Sequence, residues 1–307
     1  MSSIMTNTSA LTALQSLNST NKALETTQSR ISTGYRVSSA SDNAAYWSIA
    51  TTMRSDNKAN SVLQDALGLG AGKIDTAYTA INSSIDVVDQ IKEKVLLAKT
   101  SSADDRAKIQ TEIASLQAQL SDNIGGANYA GSNLLKTDST STTDTKLTVM
   151  TSYNRDSSGA VTTGTIDVDY ADTRLIDSSS AKSGILDTEF VTTGSGAVTA
   201  SILTLDVTAS GLDATDFDDM LTGIEAGLSD MATGAASLGA AKARVDMQKD
   251  FVSQLSDSID RGVGQLVDAD MNKESTRLQA LQVQQQLGIQ SLSIANSNSQ
   301  QILSLFR

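Results

Sequence analysis

Apolar residues recur at helical spacing over most of the chain. Ile4, Leu11, Leu14, Leu17, Leu24 and Ile31 fall at gaps of seven and three, a narrow stripe along one helix face. Gly34 offers a stop, because glycine takes the left-handed conformation that ends helices without steric cost. The polar run at Ser41, Asp42 and Asn43 then provides a new N-cap. A second helix is expected from about Asn43 to Lys99, where Ile74, Ala77, Ile81, Ile85, Val88, Ile91 and Val95 step by threes and fours. The same pattern reaches back through Met53, Leu63 and Leu67. After a turn at Ser101 to Asp105, Ile109, Ile113, Leu116, Leu120 and Ile124 define a returning helix that Gly125 and Gly126 end.

Between Lys136 and Asp213 the pattern changes. Leu147 and Val149 begin a period-two alternation that fades after Thr151 into a polar loop, Asn154 to Gly159. Val161, Ile166, Val168 and Tyr170 resume it, which predicts a β-hairpin. A weaker strand is expected from Val198 to Val207. This stretch holds 11 Asp and Glu against 5 Lys and Arg, so it reads as an acidic, solvent-facing insert. Helical spacing returns near Asp216. Val245, Val252, Leu255, Ile259 and Leu266 mark one seam, and Met271, Leu278, Leu281, Leu292, Ala295, Ile302 and Phe306 continue it to the C-terminus. Positions 278, 285, 292, 299 and 306 form one heptad row and 281, 288, 295 and 302 another. Gln285, Gly288 and Ser299 interrupt those rows, which suits small-residue contacts among several helices better than a two-stranded zipper.

The expected fold is therefore mainly α. The N- and C-terminal segments form a long antiparallel helical bundle or coiled coil, and a small β-rich outer domain is inserted between them. Three regions are expected: terminal helices 1–42 and 271–307, a long-helix bundle 43–135 and 214–270, and the insert 136–213.

Composition sharpens this reading. The 307 residues include no Cys, no His and no Pro. Without His and Cys the chain lacks the commonest metal ligands, the usual general base near neutral pH and the thiol nucleophile. The absence of Pro suits long uninterrupted helices, since an interior Pro costs about 3 kcal/mol. Aromatics are only 4% of residues, so thin bundles with narrow seams are favoured over a broad core. A net charge of −12 argues against a nucleic-acid partner or an anionic membrane. No apolar run approaches the roughly 20 residues of a membrane span. The start, Met1 to Asn7, has no basic or apolar stretch to mark a cleavable signal peptide.

Two motifs invite chemistry and fail on inspection. Gly68-Leu69-Gly70-Ala71-Gly72-Lys73 resembles a phosphate loop, but Leu67 stands where its first Gly belongs and Ile74 replaces the Mg²⁺-binding Ser or Thr. Asp216, Asp218 and Asp219 suggest a cation, but Phe217 and Met220 break a calcium-loop pattern. No catalytic, metal or cofactor residue is assigned, and no enzyme is expected.

The end segments resemble bacterial flagellin. The N-terminal resemblance runs through Ile4-Met5-Thr6-Asn7, Ser29 to Val37 and Asp42-Asn43-Ala44-Ala45. The C-terminal one covers Ser237 to Ala240, Val267 to Met271 and Ser297 to Arg307. Tyr46 to Ala50 and the stretch from Tyr153 to Val161 are similar to the flagellins of the rhizobial soil bacteria. The resemblance implies a structural subunit that self-polymerises into the extracellular flagellar filament for swimming motility, with terminal helices that order on assembly. Residues 1–42 and 271–307 would line the inner tube, the long helices the middle shell and the insert the outside. Assembly contacts would fall on Ile4, Leu11, Leu14, Leu17, Leu24, Ile31, Leu278, Leu281, Leu292, Ala295, Ile302, Leu303, Leu305 and Phe306. Implied partners are further copies, sister flagellins, the flagellar export apparatus and chaperone, and the junction and cap proteins. Export would need no cleaved signal. In the stretch many flagellins present to Toll-like receptor five, this chain reads Gln90, Lys92 and Glu93, with Gln90 in place of an Arg. Weak receptor activation is expected, because Arg forks are not replaced by other side chains at bidentate contacts. The alternative reading is a hook–filament junction adaptor, which shares the terminal helices but caps instead of polymerising.

Overall fold

A computed structural model describes residues 7–156 and 158–305, the side chains of 298–305 excepted. Among the described residues six helices carry the fold: α1 Thr8–Thr33, α2 Ala44–Thr100, α3 Ala103–Gly126, the short α4 Tyr170–Thr173, α5 Ala214–Val267 and α6 Met271–Leu305. Six strands lie between α3 and α5: β1 Lys136–Thr137, β2 Lys146–Arg155, β3 Val161–Asp169, β4 Ile176–Asp177, β5 Phe190–Val191 and β6 Thr199–Ala200. The chain divides into two compact units, one made by residues up to Lys58 and from Asp257 onward, the other by Ala59–Ser256.

In the second unit, α2 and α5 run antiparallel, as the ion pairs Asp75–Lys242, Lys92–Glu225 and Lys99–Asp218 show. Helix α3 packs beside them. Its Ile109, Ile113, Leu120 and Ile124 join Ile74, Ile81, Ile91, Phe217, Ile224 and Val245 in one continuous core. The spacing by threes and fours is what places these residues on facing stripes. Ser102 caps α3 by accepting from the Asp105 amide at 3.4 Å, and Asp104 and Asp105 occupy its first turn, where helix dipole and carboxylate agree.

The long strands β2 and β3 form an antiparallel hairpin. The pairing shifts register between Met150 and Ser152, so the alternation that fades after Thr151 reflects a bulge, and the strand continues to Arg155. Val149 on the inner face packs against Gly70 of α2, where a Cβ would lie 2.6 Å from the Val149 side chain. Gly72 receives the Tyr129 ring in the same way. Of the glycines that mimic a phosphate loop, Gly70 and Gly72 are thus notches in the middle of a helix that let other segments lie close.

The strand expected over Val198 to Val207 shortens to Thr199–Ala200, paired with β5. Beyond it the Ser201 amide donates to the Thr204 hydroxyl at 3.0 Å and the chain turns. Ile202, Leu205 and Val207 are buried because the turn lies against α3, whose Gln110 and Gln117 side chains bond to the backbone at Ile202, Leu205 and Val207. Apolar alternation here marks a packed loop.

Two buried carboxylates organise the rest of the insert. Asp177 accepts from the amides of Ser139, Ser179 and Ser183 and from the Ser183 hydroxyl. Burial works to raise its carboxyl, but these donors win and hold it well below the ordinary range. Asp213 and Asp216 form a reciprocal cap at the start of α5: Asp213 Oδ1 accepts from the Asp216 amide at 3.1 Å, and Asp216 Oδ2 from the Asp213 amide at 3.0 Å. Asp216 also accepts from Gly194 and Gly196, so these acids are spent on loop structure.

Candidate assembly interface of the terminal helices

Helix α1 opens at Asn7, whose Oδ1 accepts from the Ala10 amide at 3.0 Å. It closes at Gly34, which takes the left-handed conformation (φ 75°) and returns its amide to Arg30 O at 2.9 Å. Helix α6 is capped by Asp270, which accepts from Asn272 and Lys273. The two helices lie antiparallel. Three cross-contacts set their register: Asn7 Nδ2 to Ala295 O at 2.9 Å, Gln285 Nε2 to Asn21 Oδ1 at 2.8 Å, and Arg30 Nη1 to Glu274 Oε1 at 3.2 Å.

The stripe expected along one face of α1 divides. Leu17, Leu24 and Ile31 turn toward α6 and are half-buried, in line with buried Thr27. Leu11 and Leu14 do not: they are 58% and 48% exposed. Helical phase explains the difference. A row spaced three and four runs through Ala10, Ala13, Leu17, Thr20, Leu24, Thr27 and Ile31, and Leu11 and Leu14 lie beside it. On α6 the facing row is Leu278, Leu281, Gln285, Gly288, Leu292 and Ala295, each buried or half-buried. Gln285 and Gly288, which interrupt the heptad rows, belong to that face: Gln285 bonds Asn21, and a Cβ on Gly288 would sit 3.1 Å from Leu17. Ile4 and Phe306 lie outside the described residues, as do the side chains of Ile302, Leu303 and Leu305.

The ion pair and the Asn–Gln contact are features that apolar spacing did not single out. Glu274 is 9% exposed. A charge buried that far needs a partner, and one heptad reading that included polar positions would have placed Arg30 and Glu274 at the same end of the antiparallel seam.

Val283, Leu287 and Ile294 on α6 remain more than half exposed, alongside Leu11 on α1. Small residues line a groove of about 820 Å³ along one side of the pair, among them Ser9, Ala13, Ser16, Thr20, Gly288 and Ser291. Below the pair, both chain segments break at one level. The Arg36 and Val37 amides donate to Val267 O at 2.6 and 3.2 Å, the Ala269 amide donates to Gly34 O at 2.8 Å, and the Arg36 guanidinium reaches Leu266 O at 2.9 Å. Val37, Ala50, Val263 and Val267 make a small core beneath.

In the receptor-equivalent stretch, Gln90 and Glu93 are exposed on α2. Lys92 is half-buried and paired with Glu225, whose hydrogen bond raises the Lys92 ammonium above its ordinary value.

These features define a helical structural protein whose two terminal helices pair along a thin seam. Among the described residues no group of three or more acidic or His/Cys side chains is placed to hold a metal. No described helix is long and apolar enough to cross a membrane. The sequence model of the bacterial flagellin N-terminal helical region matches residues 4–140, and that of the C-terminal helical region residues 221–306. Flagellin of Brucella melitensis is 56% identical over 307 residues, covering 100% of both chains. Flagellin C of Rhizobium meliloti is 46% identical over 322 residues, again covering 100% of both. A crystal structure of Bacillus cereus flagellin aligns to 62% of this chain and 88% of that one, with a TM-score of 0.39 and 18% identity, a likeness too slight to bear on the geometry. The chain belongs to the bacterial flagellin family. It is a structural subunit of the extracellular flagellar filament and not an enzyme, and the junction-adaptor alternative is not favoured.

Proposed function

We propose that α1 and α6 are the elements through which copies of this chain join into the filament. The observation that carries the reading is the set of apolar side chains that the pair leaves 48–66% exposed: Leu11, Leu14, Val283, Leu287, Ile289 and Ile294. Ile4, Ile302, Leu303, Leu305 and Phe306 extend the same set by sequence. Such a surface, on a chain of a polymerising family, is what neighbouring copies bury. Residues 1–42 and 271–307 then face the filament axis, 43–135 and 214–270 form the shell around them, and 136–213 face outward.

The seam of α1 is thin, with one fully buried side chain, Thr27, among its described residues. A thin seam is marginal against the conformational entropy of ordering two helices, so the pair gains full order on assembly. Complete hydrogen-exchange protection of residues 8–33 in dilute monomer would contradict this. Export without a cleaved signal, through the flagellar apparatus with its chaperone, and contacts with junction proteins, cap proteins and sister flagellins follow from the family reading. Exposed Gln90 and paired Lys92 support weak activation of the innate receptor; strong activation by purified protein would refute it.

The test is electron microscopy of purified monomer added to short filament seeds, beside a version lacking residues 290–307. Long filaments from the intact protein alone support the reading. Seeds that are capped but never extended return it to the adaptor class.

A further inference from the structure

The pair of terminal helices has two unlike sides, and their relation bears on how one copy meets the next. At about 100° per residue, Ser16 lies about 70° one way around α1 from the centre of its α6-facing row, and Ser291 lies about 90° the same way around α6 from its own. In an antiparallel pair, equal senses of rotation share a side, and these two residues do line one groove. Leu14 lies about 90° the opposite way around α1, and Ile289 about 70° the opposite way around α6. Leu14 falls midway between the Asn7–Ala295 and Asn21–Gln285 contacts, which brings it level with Ile289. Leu14 and Ile289, 48% and 54% exposed, therefore stand together on the side away from the groove.

We infer that assembly is directional at this level: the aliphatic ridge of Leu14 and Ile289 on one copy seats in the Ser9–Ser16–Gly288 groove of a second copy. Two arguments favour a second copy as the occupant. The family is one of self-polymerising subunits, and the same pair supplies both the knob and a hole lined mainly by small side chains, Ser9, Ala13, Ser16, Gly288 and Ser291 among them, together with Gln284 and Leu287. Ridge and groove lie on opposite sides, so a contact between them is heterologous. Each copy that docks presents a fresh ridge or groove, and such contacts extend without closing. The inference rests on the proposal that α1 and α6 are assembly elements, and adds which side meets which.

The chain has no cysteine, so single-cysteine variants report without background. Leu14→Cys and Ser16→Cys monomers would be mixed, grown on wild-type seeds and oxidised. The mixed disulfide dimer is expected in about tenfold excess over either same-variant dimer, as a heterologous contact requires. Predominance of the Leu14→Cys homodimer would mean that like sides meet, and overturns the inference. Filaments that grow yet give no disulfide also overturn it, while leaving the terminal helices as assembly elements. Wild-type protein that fails to extend its own seeds defeats both. As a second measure, Ser16→Trp fills the groove of a folded monomer and is expected to slow elongation about tenfold, the equivalent of about 1.4 kcal/mol; Ser16→Ala should leave it unchanged. Unaltered elongation of Ser16→Trp would overturn the inference.

Discussion

Gly68 and Gly70 sit two residues apart in one helix and carry opposite expectations. A Cβ at Gly70 would press on Val149, whereas at Gly68 it meets nothing within 4 Å. Gly70→Ala should lower stability by about 1–3 kcal/mol through overpacking. Gly68→Ala should be neutral or stabilising by up to about 1 kcal/mol, because alanine is the better helix former. Thermal unfolding of the two variants side by side checks both. Asp213 and Asp216 give a pH prediction. The amides of Ser195 and Asp216 chiefly hold the Asp213 carboxyl down at about 2, and the Thr192 hydroxyl leads the donors that lower Asp216. The ordinary carboxyl titrates near 3.9. Groups depressed on folding stabilise the native state above that value and lose their contribution as pH falls through the folded one. Hydrogen-exchange protection at Ser195, whose amide donates to Asp213, should therefore fall between about pH 4 and pH 2. The double variant Asp213→Asn, Asp216→Asn should lack that acid step.

At the scale of elements, the contact that sets the register of α1 on α6 is open to test through Arg30. Its removal leaves the Glu274 carboxylate, 9% exposed, without a counter-charge. Arg30→Ala should weaken the pairing by about 1–3 kcal/mol, read as loss of exchange protection along both helices. Arg30→Lys should recover part of it. The helices themselves were legible in the sequence, since apolar spacing, Asn43, Gly34 and Gly126 mark their ends within a residue or two. The hairpin was legible too, except at the bulge, where one extra residue reverses the alternation. What period-two reading could not separate is a strand from a buried turn, because Ile202, Leu205 and Val207 are buried in either. The seam of α1 was half legible. Leucines at gaps of seven and three trace a stripe, but Thr20, Thr27 and two alanines complete the real one, and hydrophobicity ranks them below the exposed Leu11 and Leu14. Polar and small residues that bridge helices carry little signal until the partner helix is in place.

On the scale of the whole molecule, the absence of His and Cys removes the familiar routes to catalysis, while the exposed apolar residues of the paired terminal helices carry the proposed route to association. The joint at Gly34–Val37 and Val267–Ala269 has a further consequence. It is fastened largely by backbone amides, so its hydrogen bonds do not depend on which side chain stands at Ala269. Ala269→Ser should leave it intact, whereas Ala269→Pro deletes the donor to Gly34 O and should cost about 1–3 kcal/mol by denaturant unfolding. At that position such a joint keeps its hydrogen bond with any residue but one. Proline is that residue, and in 307 positions the chain does not use it.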